Sequence, residues 1–148
     1  MNLMKDIFKV LLLTVVLTMT TGTTRAQSGN NNDWATIIRQ LDSTRIAVQS
    51  MPDDTAKLSR YYFISRYCYD VDSAGKYCQL LLDLALKFDN QYYIAHGYSY
   101  LARYYYWAAD YDKARDLNME ALYLWEKLEN KYNIARLNTQ LASILTAQ

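Results

Sequence analysis

Between Ala95 and Leu124 apolar residues recur at steps of three and four. Tyr98, Leu101, Ala102 and Tyr105 fall on one side of a helix, and beyond Asp110-Tyr111-Asp112 the series resumes at Ala114, Leu117, Ala121, Leu124 and Leu128. The carboxylates at the break stand where a helix start takes a capping acceptor and negative charge. The spacing therefore predicts two helices joined by a short turn. Such a hairpin cannot bury its apolar faces alone, and the chain repeats it at an offset of forty residues. Asp70-Val71-Asp72-Ser73-Ala74 stands opposite Asp110-Tyr111-Asp112-Lys113-Ala114, and Ala74, Tyr77, Leu81, Leu84 and Phe88 copy the later stripe. The same offset carries Tyr92, Ile94, Ala95, Leu101 and Ala102 onto Tyr132, Ile134, Ala135, Leu141 and Ala142.

These matches divide the chain into repeats at 54–90 and 91–130 and a partial third at 131–148. Ahead of them, residues 33–51 form a packing helix: Asp33 is its cap, and Ile37, Leu41, Thr44, Val48 and Met51 share one face. Pro52 ends it, and Asp53 or Asp54 caps the next. In the partial repeat Ile134, Leu141, Ile144 and Leu145 form an apolar face, while Arg136, Thr139, Gln140 and Ser143 point elsewhere. That helix either caps the array or offers an edge for homodimerisation, and its polar residues favour the cap.

Tyr98-x-x-Leu101-Ala102-x-x-Tyr105, followed by the small residues Ala114 and Ala121, resembles the tetratricopeptide repeat. The earlier copy departs from that pattern, with Tyr61-Tyr62 in place of Leu-Ala and Ser65 in place of Tyr. The repeat-ending proline is missing, and the period exceeds the family's value of about 34. The resemblance implies an all-α, helical-hairpin solenoid of about five helices, with a HEAT- or armadillo-like α-solenoid as the alternative. Pro52-Asp53-Asp54-Thr55-Ala56-Lys57-Leu58 resembles the entry into the array of bacterial exported tetratricopeptide proteins, which implies a scaffold or sensory module that binds a protein or peptide without catalysis.

In that family the first helix of each pair lines a concave groove. The matching positions on the first such helix are Ser59, Phe63, Arg66 and Tyr67. On the second they are His96, Ser99, Arg103, Tyr106 and Trp107, and on the third Arg136, Thr139 and Ser143. Arginines beside aromatic rings supply carboxylate forks and contact area, the combination that dominates binding hot spots. Stacked tyrosine and tryptophan also suit sugar rings, so an envelope glycan or other small ligand is the alternative occupant.

The first 26 residues stand outside this scheme. Lys5 and Lys9 precede an uncharged run from Val10 to Thr24, and Thr24-Arg25-Ala26 has the small-residue spacing a signal peptidase reads. The run is shorter than the roughly 20 apolar residues of a spanning helix. Residues 1–26 thus read as a cleaved secretory signal and 27–32, rich in Ser, Gly and Asn, as a flexible spacer. The expected location is periplasmic or secreted, with membrane attachment only through an uncleaved signal. Cleavage takes the formal net charge from +1 to −1, because three basic residues and one acidic residue leave. A nearly neutral chain gives no electrostatic case for nucleic acid.

Motifs for catalysis are missing from the sequence. His96 is the one histidine, and neither HExxH, CxxC, GxSxG nor a phosphate-binding glycine loop occurs. The pairs Asp53-Asp54, Asp70/Asp72 and Asp110/Asp112 each sit at a helix start, where capping accounts for them better than acid–base or metal chemistry. No enzyme activity, metal or cofactor is expected. Cys68 and Cys78 read as small buried hydrophobes rather than a disulfide, since they differ in level by about one helical turn.

Overall fold

A computed structural model describes residues 34–147. The predicted signal, spacer and cap at Asp33 lie outside the described residues. The fold is all-α. Helices α1 (Trp34–Ala47), α2 (Thr55–Tyr67), α3 (Val71–Lys87), α4 (Gln91–Trp107), α5 (Tyr111–Lys127) and α6 (Lys131–Ala147) follow one another, with a 3₁₀ turn at Val48–Ser50 after α1. The described residues thus hold six helices where the sequence suggested about five. The packing helix also ends sooner than expected: Met51 is extended (φ −74°, ψ 142°), as a residue before proline is obliged to be.

The helix starts follow short polar side chains. Asp54, not Asp53, caps α2 by accepting the Lys57 amide at 2.8 Å. Asp53 binds Lys57 at 3.0 Å and Lys87 at 2.8 Å, which ties the start of α2 to the end of α3. Asp70 departs from expectation, because its carboxylate accepts the Ser73 hydroxyl at 2.5 Å instead of a backbone amide.

The last three linkers are copies of one another. Asp89, Ala109 and Glu129 take left-handed backbone angles, with φ of 48°, 60° and 51°. The next residue in each case donates its amide five residues back, Asn90 to Ala85, Asp110 to Tyr105 and Asn130 to Trp125, at 2.9 to 3.0 Å. This is a Schellman closure, which satisfies carbonyls left over at a helix end. The same Asn90, Asp110 and Asn130 then cap the following helix by accepting the amides of Tyr93, Lys113 and Asn133. One residue therefore closes one helix and opens the next, and the backbone repeats every twenty residues, half the interval read from side chains. The linker from α2 to α3 lacks the left-handed residue; Cys68 there is extended.

Each helix packs on its neighbours in sequence, and α4 also touches α2 and α6, whereas α3 and α5 stay apart. So α2, α4 and α6 form one layer, and α3 and α5 lie behind it. Gly97 marks the close approach of α4 to α3, since a Cβ there would meet the Leu82 Cα at 3.1 Å. The core holds Leu58, Ile64, Leu81, Ala85 and Leu101, and continues through Ala95, Ala121, Trp125 and Leu137.

Two buried stripes are rotated from the predicted ones. On α5 the fully buried positions are Ala114, Asn118, Ala121 and Trp125, while Leu128 is exposed. On α6 the buried positions are Asn133, Leu137 and Ile144, while Leu145 is exposed. The indole of Trp125 explains the rotation of α5. As the largest fully buried side chain, it turns its own edge inward and moves the leucines to the margin. Phe88, at the end of the α3 stripe, is exposed as well. Cys68 and Cys78 are free, buried thiols. Burial pushes the Cys78 thiol up to about 11.

A left-handed alanine costs about 1–2 kcal/mol that glycine avoids. Ala109→Gly is therefore expected to raise stability by about 0.5–1 kcal/mol after the added unfolded-state entropy of glycine. Ala108→Gly, one residue earlier at φ −80°, is expected to lower it. Urea unfolding of both variants checks this, and a loss of stability in Ala109→Gly would refute the account of the linkers.

Candidate functional site

The layer of α2, α4 and α6 carries a pocket of about 480 Å³. Its charged walls are Arg66 from α2, Arg103 from α4 and Arg136 from α6, and its rings come from Tyr62, Tyr100 and Tyr132 among others. The local sequence explains the grouping. Tyr62 and Arg66, Tyr92 and His96, His96 and Tyr100, and Tyr132 and Arg136 are each four residues apart, so each pair shares one helix face.

His96 lies at the floor and is 5% exposed. Its ring meets Tyr62 at 4.7 Å, Tyr92 at 4.6 Å and Trp125 at 4.7 Å edge-on, and stacks on Tyr100 at 5.5 Å. Neither of its ring nitrogens has a hydrogen-bond partner among the described residues. Burial, helped by the positive charges of Arg136 and Arg66, pushes its pKa down to about 3, so the imidazole is neutral. Behind it the Trp125 indole N–H donates to the Ser99 hydroxyl at 3.1 Å, which donates to the Ala95 carbonyl at 2.7 Å.

The three guanidinium groups are held in different ways. Arg103 donates to the Ser65 carbonyl at 2.8 Å, bridging α4 to α2, and lies over the Tyr100 and Trp107 rings at 4.9 and 5.1 Å. Arg66 donates to the Tyr62 hydroxyl at 3.0 Å, which pushes the arginine pKa up. Arg136 lies 6.0 Å from the Tyr100 ring centre, and burial lowers its pKa. None of the three forms an ion pair with a carboxylate among the described residues; the arginines that do are Arg45 and Arg115.

Of the residues proposed from sequence, Arg66, Tyr67, His96, Arg103 and Arg136 line this pocket. The others stand apart from it. Phe63 packs against the core and the Tyr67 ring. Ser99 is fully buried in its bonds to Ala95 and Trp125. Tyr106 lies tilted against Tyr111 at 6.0 Å, and Trp107, 38% exposed, stands beside Tyr69. Ser59, Thr139 and Ser143 are exposed and return their hydroxyls to carbonyls of their own helices. Tyr62, Tyr92, Tyr100, Tyr132 and Asn133 escaped the sequence reading, although each lies three or four residues from a named arginine or histidine.

On the opposite face, Leu101 and Tyr105 floor a second pocket of about 340 Å³ where α3 and α5 separate, with Lys113, Asp116 and Glu120 at its side. Its two carboxylates and one ammonium give it mixed charge. Among the described residues no group of three His, Cys, Asp or Glu side chains gathers to hold a metal ion, and no helix is long and apolar enough to cross a membrane. Compared with protein-family models and with curated proteins, the sequence matches none.

The depressed pKa of His96 has a definite sign. The unfolded chain, with an ordinary pKa near 6.5, binds a proton that the folded chain refuses until about pH 3. The contribution is thus fully present above 6.5 and is lost as pH falls toward 3. Between pH 7 and pH 5 the protein is expected to lose about 2 kcal/mol more stability than a His96→Phe variant. Urea unfolding at the two pH values measures the difference, and equal losses would show that His96 protonates freely in the folded state.

Proposed function

We propose that this chain is a non-catalytic binding module of the tetratricopeptide type, which takes a protein or peptide segment on the face formed by α2, α4 and α6. The observation that carries the reading is the pocket of about 480 Å³ walled by three arginines without carboxylate partners among the described residues. Its tyrosines give wide contact area at little entropic cost, and its arginines give planar donors, the pairing that dominates binding hot spots. The alternation of helices between two layers and the equal lengths of α3 to α6 support a helical-hairpin array. The Lys5, Lys9 and Ala26 pattern supports export.

A peptide library selected on the purified protein tests the binding face. The side chains of Arg66 and Tyr132 are exposed and make no inter-helix hydrogen bond, so Arg66→Ser with Tyr132→Ser is the suitable variant; Arg103 bridges two helices and is not. Selected peptides are expected to bind this double variant at least tenfold more weakly, with helicity and melting temperature unchanged. Equal binding would remove the face from consideration. For export, the intact mass of protein from the envelope fraction is expected to match residues 27–148, and a mass retaining residues 1–26 would count against cleavage.

A further inference from the structure

We propose that the pocket between Arg66, Arg103 and Arg136 takes a small molecule that carries an oxyanion on a flat ring. The inference rests on the reading of this face as a binding surface, and it adds the chemistry of the occupant.

Three positive charges meet here with no carboxylate beside them among the described residues. Their donors are also incompletely used. Arg136 Nη2 and Arg103 Nε are buried without an acceptor, and both nitrogens of His96, nine-tenths buried and more, are without a partner. An unpartnered buried donor costs about 1–3 kcal/mol, and more when charged. Water or a neutral polar group answers the hydrogen bonds but not the charge. A carboxylate or phosphate answers both, because its oxygens accept from several N–H groups while its charge offsets the mutual repulsion of the arginines.

The space is too large for the oxyanion alone. About 480 Å³ falls in the range of small-molecule sites, and the walls that remain beyond the guanidinium groups are tyrosine faces. Tyr62 and Tyr132, which are less buried than Tyr100, offer ring surface for a sugar or aryl ring. Arg103, fixed to the Ser65 carbonyl and stacked on Tyr100, joins the two parts of the site.

Calorimetric titration of the protein, purified as the cell makes it, tests this with benzoate, phenyl phosphate and glucuronate. Their controls are benzyl alcohol, glucose and inorganic phosphate. At least one ring-borne anion is expected to bind tenfold or more tightly than both its neutral counterpart and inorganic phosphate. The order of benzoate and phenyl phosphate distinguishes a carboxylate from a phosphate ligand. Arg136→Gln is expected to weaken that binding at least tenfold, and Arg115→Gln, on α5, to leave it unchanged. Should Arg136→Gln fail to fold, Arg66→Gln, whose side chain is exposed, replaces it.

No preference for ring-borne anions over the neutral compounds, equal binding of inorganic phosphate, or unchanged affinity in the folded variants would each overturn the proposal. Peptides that bind the groove while no ring-borne anion does would sink it and leave the peptide reading standing. Ring-anion binding in a protein that selects no peptide would do the reverse.

Discussion

The left-handed residue in each of the last three linkers is the constraint from which the arrangement of α3 to α6 follows. With Asp89, Ala109 and Glu129 fixed at positive φ, the chain reverses in three residues. The residue that follows each of them is committed twice, by its amide to the helix behind and by its side chain to the helix ahead. No slack remains, so all four helices have 17 residues, about 25 Å each, and alternate between the layers. One residue more or less in α4 would turn the rest of that helix by about 100° and carry Arg103 off the face that His96 occupies. The positions of functional side chains thus depend on turn chemistry some distance from them.

That dependence explains what could be read from the sequence and what could not. The hairpins were legible because Asp54 and Asp110 are good caps ahead of apolar periodicity, and the stripe that follows Asp110 copies the one that follows Asp70. The twenty-residue backbone repeat was hidden, since Asp89, Ala109 and Glu129 are three different residue types and none is glycine. Faces near helix ends were misjudged for a related reason. Periodicity counts Leu124 and Leu128 as equal to Trp125, but only the indole finds Ser99 to accept its N–H, and burial follows that bond.

The candidate site was legible as far as charge goes. Arg66, Arg103 and Arg136 fall at matching groove positions on α2, α4 and α6, and they converge. The tyrosines around them were harder to assign, because a tyrosine at helical spacing fits core and groove equally well and only three-dimensional context separates them. Tyr61 is 8% exposed and belongs to the core, whereas its neighbour Tyr62 receives the Arg66 bond and touches His96. Ser99 shows the opposite error: a polar residue on the expected groove face is instead an internal link between α4 and α5.

The groove and the core meet at His96. His96 lines the pocket together with the arginines, and its ring meets edge-on the Trp125 indole, which is anchored through Ser99 to the backbone of α4. Holding a neutral imidazole and two under-used guanidinium groups in this place costs stability, and such cost persists only where the surrounding packing over-determines the arrangement. Here Trp125 and Ala95, both fully buried, belong to one cluster with Leu137, so α4, α5 and α6 fix the floor of the pocket together. The donors are therefore held in place before any ligand arrives, and a ligand that satisfies them loses little to reorganisation of the protein. A site built on loops would spread the same charges apart; this one keeps them together because the helices beneath have nowhere else to pack.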